Sequence, residues 1–193
     1  MTAQDKAAAR SRARERRGAI PHALRDRAGN QGAAHFIAMI PLAPNSIVSA
    51  FWPMDGEFDC LPLINTLQQA GHQIALPVVL GVDQPLCFRR WRPGDAMTVS
   101  AFGVSEPLAS APALQPDVVV TPFLAYNNEG FRLGYGGGYY DRTLRALRQA
   151  GPGLLAVGLG FAAQEMPALP IDDHDEPMDW LVNERGAQSF VRG

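Results

Sequence analysis

The chain changes hydrophobic period several times, and each change marks an element. Residues 46–52 (SIVSAFW) form a short β-branched and aromatic run, which reads as a buried strand. Residues 53–56 (PMDG) read as a loop. Helical spacing returns over residues 61–70, with Gly71 placed to end that helix, and residues 73–79 read as a second strand. Strand, helix and strand in this order predict parallel pairing and a right-handed crossover. Residues 86–91 read as a shorter strand suited to a hairpin. Residues 105–116, rich in proline and alanine, read as an extended surface connection. The run DVVVT at 117–121 reads as a strand buried on both faces, and so does LLAVGL at 154–159. Between them, residues 139–150 read as a helix stopped by Gly151-Pro152-Gly153. A short helix is expected over 165–169 and a final strand over 180–182. At the start, residues 3–19 are rich in alanine and arginine and read as a helix. Pro21 opens a second short helix over 21–30, and helical periodicity resumes over 33–39. The alternation predicts one three-layer α/β/α domain over residues 1–193, with a mostly parallel central sheet.

Composition narrows the function. The 193 residues are 47% hydrophobic and 19% charged, enough for a real core, and the formal net charge is −2. No global field draws such a chain to nucleic acid or anionic lipid. The charge is unevenly spread, however. Lys6, Arg10, Arg12, Arg14, Arg16, Arg17, Arg25 and Arg27 crowd the beginning. Asp172, Asp173, Asp175, Glu176 and Asp179 crowd the other end. The basic segment is thereby expected to face something anionic. Cys60 and Cys87 have no CxxC or Cys/His metal spacing, which fits a reducing compartment. Neither an apolar run of about 18 residues nor a secretory signal pattern is present. These features lead us to expect a cytoplasmic protein with no membrane or nucleic-acid partner; a monomer acting on a small molecule is the accompanying expectation.

The densest chemistry lies at 130–142, GFRLGYGGGYYDR. Four glycines within five residues, at 134 and 136–138, let the backbone approach a ligand and visit positive φ. Their amides, at the start of a helix, can form an anion-binding nest. Arg132 can add a charge-assisted contact to phosphate, and Asp141 can hold Mg²⁺. The pattern lacks the GK[ST] ending of a P-loop and is misplaced for a dinucleotide fingerprint. Elsewhere the residues alone say less. Lys6, Arg10, Arg14 and Arg17 fall close to one helix face, and spacing by itself favours a solvated cationic helix. Trp52, Glu57 and Asp59 follow a strand's carboxyl end, where ligands sit in open α/β sheets, yet spacing favours a core tryptophan and a helix-start carboxylate. For Asp175, composition favours a solvated loop over a metal ligand. His22, His35 and His72 are scattered, and no Ser/His/Asp or Cys/His set is visible.

The run at 130–142 resembles the signature of the 5-formyltetrahydrofolate cyclo-ligase family, also called 5,10-methenyltetrahydrofolate synthetases. Lys6-x-x-x-Arg10, FWPMDGEFD at 51–59, Leu76-Pro77, Glu106-Pro107 and DVVVTP at 117–122 extend the resemblance over nearly the whole chain. It implies ATP- and Mg²⁺-dependent closure of 5-formyltetrahydrofolate to 5,10-methenyltetrahydrofolate, with release of ADP and phosphate. By resemblance, the ATP site comprises Lys6, Ala7, Ala8, Ala9 and Arg10 on the basic segment 1–20. It continues in Arg132, Leu133, Gly134, Tyr135, Gly136, Gly137, Gly138, Tyr139 and Tyr140. Catalytic roles fall to Lys6, Arg10, Arg132 and Tyr139. Folate contacts fall to Trp52, Glu57 and Tyr139, and Mg²⁺ to Asp141 and Asp175. Only the resemblance reverses the readings for Lys6, Trp52 and Glu57. Two departures stand out. Tyr126-Asn127 replaces the family's Phe-Asp, and Trp52 is bulkier than the aliphatic residue of some members. A retuned folate-, nucleotide- or RNA-binding module on the same fold is the rival expectation.

Overall fold

The computed structural model describes residues 3–54 and 56–190. Residues 1 and 2 of the expected basic segment, Asp55 of the expected loop, and the last three residues lie outside the described residues. The chain opens with helices α1 (Ala3–Gly18) and α2 (His22–Met39), then strand β1 (Ile47–Ser49), helix α3 (Leu61–Gln69) and strand β2 (Gln73–Val78). Strands β3 (Cys87–Arg90), β4 (Met97–Val99), β5 (Ser105–Pro107), β6 (Val118–Thr121), β7 (Ala125–Tyr126) and β8 (Arg132–Leu133) follow. Helix α4 (Tyr139–Ala150), strand β9 (Leu155–Leu159), a 3₁₀ turn (Ala162–Gln164), and strands β10 (Trp180–Asn183) and β11 (Gly186–Ser189) complete the order.

Seven strands form the central sheet in the order β11-β10-β9-β6-β1-β2-β3. The four inner pairings are parallel, and the two edge pairings, β2 with β3 and β10 with β11, are antiparallel. Strand residues alternate between two cores, as a period of two requires. Val48, Ile74, Leu76, Val118, Val120, Val157 and Leu159 pack with Phe36 of α2 and with Leu63, Ile64 and Leu67 of α3. Ala75, Val119 and Ala156 face the other way, with Leu144 of α4. This is the expected three-layer α/β/α arrangement with a mostly parallel sheet. Helix α1 lies apart from both cores. Its Ala9 and Ala13 pack against Leu124, Ala125, Leu133, Met166 and Leu169.

Several local expectations change. Helix α2 runs unbroken through Gly29 and Gly32, where the sequence reading splits it. A Cβ at Gly29 would come within 2.8 Å of the Asp59 carbonyl oxygen, and one at Gly32 within 2.7 Å of the Phe58 ring. The glycines are therefore close-approach positions and do not end the helix. Residues 165–169 are not helical. Pro167 and Pro170 bias the residues before them toward extended backbone. Gln164 ties the chain to the Phe123 and Leu124 carbonyls at 2.7 and 3.1 Å. The expected surface connection at 105–116 begins with β5, which pairs with β4 as a hairpin. Strand β10 is the expected final strand, and β11 is an addition that pairs with it as a terminal hairpin. Its turn is closed by the Asn183 Oδ1, which accepts from the amides of Arg185 and Gly186 at 2.8 and 3.2 Å.

Gly29→Ala should lower stability by about 1–2 kcal/mol in urea unfolding, because the backbone contact outweighs the helix propensity alanine brings.

Candidate active site

In strand order, β1 is followed by β2 on one side, while the chain returns to β6 on the other. Ligands of open α/β sheets sit beyond the strand ends at such a switch point. A cavity of about 410 Å³ lies there. Phe51, Trp52 and Glu57 reach it from the segment after β1, Pro77 and Val79 from the end of β2, and Pro122 from the segment after β6.

One wall is the glycine loop. It leads into α4 at the expected residue but leaves from β8, a short strand absent from the sequence reading, and it remains on the surface beside the cavity. Gly136 has φ of 112° and Gly138 of 64°, values that L side chains rarely adopt. Gly138 precedes α4 without a side-chain cap, so the first-turn amides of that helix meet no capping side chain. Helix α1 presses its cationic face on this loop. Arg10 Nε donates to the Gly134 carbonyl at 3.1 Å, and a Cβ at Gly136 would stand 3.3 Å from the Arg10 guanidinium carbon. Arg17 donates to the Tyr135 hydroxyl, which in turn donates to Glu57 Oε1. The other Glu57 oxygen accepts from the Met54 amide at 2.9 Å. Burial, followed by the charge of Glu57, raises the pKa of both Tyr135 and Tyr140, so both phenols keep their protons at neutral pH.

Lys6 stands between two acids, with Nζ 2.7 Å from Asp175 Oδ2 and 2.8 Å from Asp172 Oδ2. Partial burial opposes its charge, but the bonds to Asp172 and Asp175 outweigh it and raise its pKa above 10.5. Asp141 lies at the cavity edge. Its Oδ1 accepts from Arg132 at 2.7 Å and from the Glu176 amide at 3.1 Å. The Arg132 side chain is only 3% exposed, and its other terminal nitrogen donates to the Glu176 carbonyl at 2.7 Å. Burial lowers the pKa of Arg132, against the opposing effect of Asp141. Replacing Arg132 would therefore disturb packing as well as any ligand contact.

The structure thus brings Trp52, Glu57, Arg132, Gly134, Tyr135, Gly137, Gly138, Tyr139, Tyr140 and Asp141 to one cavity. Lys6, Arg10 and Gly136 adjoin its loop wall or the neighbouring acidic segment. Ala9 and Leu133 are buried in the cluster behind that wall, and their side chains face away from solvent. Ala7 and Ala8 are exposed on α1. Asn127, where a carboxylate was expected from the resemblance, is 2% exposed. Its Oδ1 accepts from the amides of Glu129 and Phe131 at 3.1 and 2.9 Å, holding the β7–β8 turn. An amide oxygen serves that purpose as well as a carboxylate.

The sequence profile of the 5-formyltetrahydrofolate cyclo-ligase family matches residues 2–184. The chain belongs to this family. It is 31% identical over 174 residues to the 5-formyltetrahydrofolate cyclo-ligase of Escherichia coli K12, covering 88% of this chain and 94% of that one. The cyclo-ligase of Mycolicibacterium smegmatis is 29% identical over 181 residues, covering 89% and 91%. The structure of Aquifex aeolicus 5,10-methenyltetrahydrofolate synthetase superimposes with a TM-score of 0.81 at 28% identity, over 97% of this chain and 94% of that one.

Part of this cyclo-ligase site escaped the sequence reading. Ser100, Phe102, Val104 and Glu106 all line the cavity, and they lie on the β4–β5 hairpin or in its turn. Their spacing of two was the available signal, interrupted by Gly103 in the turn. Phe102 also meets Tyr139 edge to face, with ring centroids 5.9 Å apart. Asp172 was read only as a member of an acidic run, and Arg17 only as part of a cationic helix face.

Glu176 fastens the acidic segment to α4 through Arg145 and Arg148, each at 2.8 Å. Burial opposes its charge, yet the two arginines hold its pKa below 4.5. A carboxylate with a depressed pKa stabilises the fold above its unfolded value and loses that effect as pH falls through the folded one. Glu176→Gln should therefore destabilise the protein by about 1–2 kcal/mol at pH 7. The gap to the parent should close in urea titrations repeated well below pH 4.5.

Proposed function

We propose that the chain catalyses ATP- and Mg²⁺-dependent ring closure of 5-formyltetrahydrofolate to 5,10-methenyltetrahydrofolate, with release of ADP and phosphate. The observation that carries this reading is the two-sided character of the cavity. One side has main-chain amides at a helix start with cations behind them. The other offers Phe51, Trp52, Pro77, Val79 and Val104 to a flat apolar ring. Triphosphate suits the first side and a reduced pterin the second.

The reaction must turn a formyl oxygen into a leaving group. That oxygen attacks the γ-phosphorus, the bond to ADP breaks, and an imidate phosphate forms. N10 then attacks the formyl carbon, phosphate departs with the oxygen, and the N10 proton leaves with that phosphate or to water. The protein's part is alignment and charge balance. The amides at 136–138 and the first turn of α4 cradle the phosphates. Lys6, Arg10 and Arg132 provide the positive charge, with Ala7 and Ala8 beside the nucleotide on α1. Lys6 exchanges an acid of the 172–175 loop for phosphate as ATP enters. Trp52 packs on the pterin, Tyr139 lies between the two ligands, and Glu57 positions Tyr135 and meets the folate. Little acid–base help is required, since water or the departing phosphate can take the N10 proton, which accords with the absence of histidine among the cavity residues.

Asp141 suits Mg²⁺ by donor chemistry, as a carboxylate on the phosphate side with only Oδ1 engaged by Arg132 and the Glu176 amide. Asp175 fits once Lys6 has turned to phosphate. Among the described residues no three acids, histidines or cysteines cluster as a complete protein cage, and Mg²⁺ beside nucleotide phosphates needs none. When bound, the ion would neutralise phosphate charge. Among the described residues no helix is long and apolar enough to cross a membrane. We place the activity in the cytoplasm, in a monomer.

The purified chain should release phosphate from ATP only when 5-formyltetrahydrofolate is present, with matching growth of methenyl absorbance. Tight folate binding without turnover would instead mark a binding module. Asp141→Asn retains an acceptor for Arg132 but removes the charge. It should cut kcat about 100-fold or more and raise the Mg²⁺ concentration for half activity, and it should lower the thermal midpoint, because nearly buried Arg132 keeps a hydrogen bond but loses its counter-charge.

A further inference from the structure

Three carboxylates line the cavity, and they are not equivalent. Glu57 has each oxygen engaged, one by Tyr135 and one by the Met54 amide. Asp141 is held by Arg132 and by the Glu176 amide. Glu106 differs. It belongs to β5 and is only 7% exposed. Its Oε1 accepts from the Val79 amide at a long 3.3 Å. Among the described residues, no donor reaches its Oε2, and no cation pairs with it within 4 Å. The surrounding walls are largely apolar: Phe51, Pro77, Val79, Leu86, Val104 and Pro122. A buried acid with spare acceptor capacity in such a setting is costly unless a ligand supplies the donors.

We propose that Glu106 recognises the N–H edge of the substrate's fused heterocycle, accepting from two adjacent donors in an amidine-like arrangement. The 2-amino-4-oxopyrimidine half of a reduced pterin presents such a pair, its ring N3–H beside the exocyclic amine. A carboxylate with one oxygen uncommitted and the other weakly committed can accept both. The β4–β5 turn brings Ser100, Phe102 and Val104 to the same cavity wall as Glu106 of β5, so the hairpin supplies both the apolar cover and this polar reader. Glu106 thus determines specificity for the ring, while Glu57 serves chiefly to hold Tyr135 and the glycine loop.

This inference rests on the folate reading above, and the experiment separates the two. Steady-state kinetics of the full chain would be compared with Glu106→Gln and Glu57→Gln. Glu106→Gln retains an acceptor for the Val79 amide but turns the remaining group into a donor facing donors. The KM for 5-formyltetrahydrofolate should rise about 100-fold or more, while the KM for ATP moves less than about 3-fold. Equilibrium binding of an analogue with methyl in place of the 2-amino group supplies the second measurement. The parent chain should bind it about 30-fold or more weakly than the natural ring. Glu57→Gln should keep that discrimination and Glu106→Gln should lose it. An unchanged folate KM in Glu106→Gln, or an equal rise in both KM values, overturns the assignment. So does equal binding of both rings by the parent chain, a result that holds even if the variant fails to fold. Absence of turnover and of folate binding in the parent removes the folate reading itself, and Glu106's role with it.

Discussion

The Arg10 guanidinium lies against Gly136, at a distance that leaves little room for a Cβ. This contact closes the site. It needs a loop backbone free to take positive φ and a helix from the far end of the sequence delivered at the right depth. Ala9 and Ala13 set that depth, because their small side chains let α1 settle on Leu124, Leu133 and Met166. The same docking brings Lys6 to Asp172 and Asp175 and Arg17 to Tyr135. A charge asymmetry that looked global in the sequence is resolved locally. The basic helix meets the acidic loop at one point and the glycine loop at another.

The cavity divides its polar chemistry between its walls. Toward α4, donors and cations are plentiful, and Asp141 is balanced by Arg132. Toward the β4–β5 hairpin the walls are apolar and Glu106 stands without a cation among the described residues. Such an arrangement orients a ligand whose ends differ in charge, since reversing it would put phosphate against an unpaired carboxylate. The edge contact of Phe102 with Tyr139 joins the two walls at the mouth.

Stability and function share residues at the base of α4. Arg132 connects Asp141 to the Glu176 backbone, while Glu176 is held by Arg145 and Arg148. These bonds fix the acidic segment beside the helix whose N-terminus borders the cavity and forms its proposed phosphate side. A nearly buried guanidinium cannot be removed without leaving its partners unsatisfied. Arg132 is thus a structural tie in addition to the phosphate contact proposed for it.

By itself, the sequence determined the layered fold. Runs such as DVVVT and LLAVGL bury on both faces only as inner parallel strands, and α4 begins and ends where its glycines predict. The glycine loop was equally legible, because a backbone requirement is written in consecutive residues. Tertiary structure alone decided the rest. The glycines at 29 and 32 look like helix breaks until Asp59 and Phe58 approach them. Lys6 looks solvated until the 172–175 loop arrives, 166 residues or more away along the chain. Glu106 looks like a surface residue until its strand folds over the end of β2. Periodicity reports which neighbours along a segment share a face. Which distant groups meet that face is set by packing, and a site made of such meetings has no local signature.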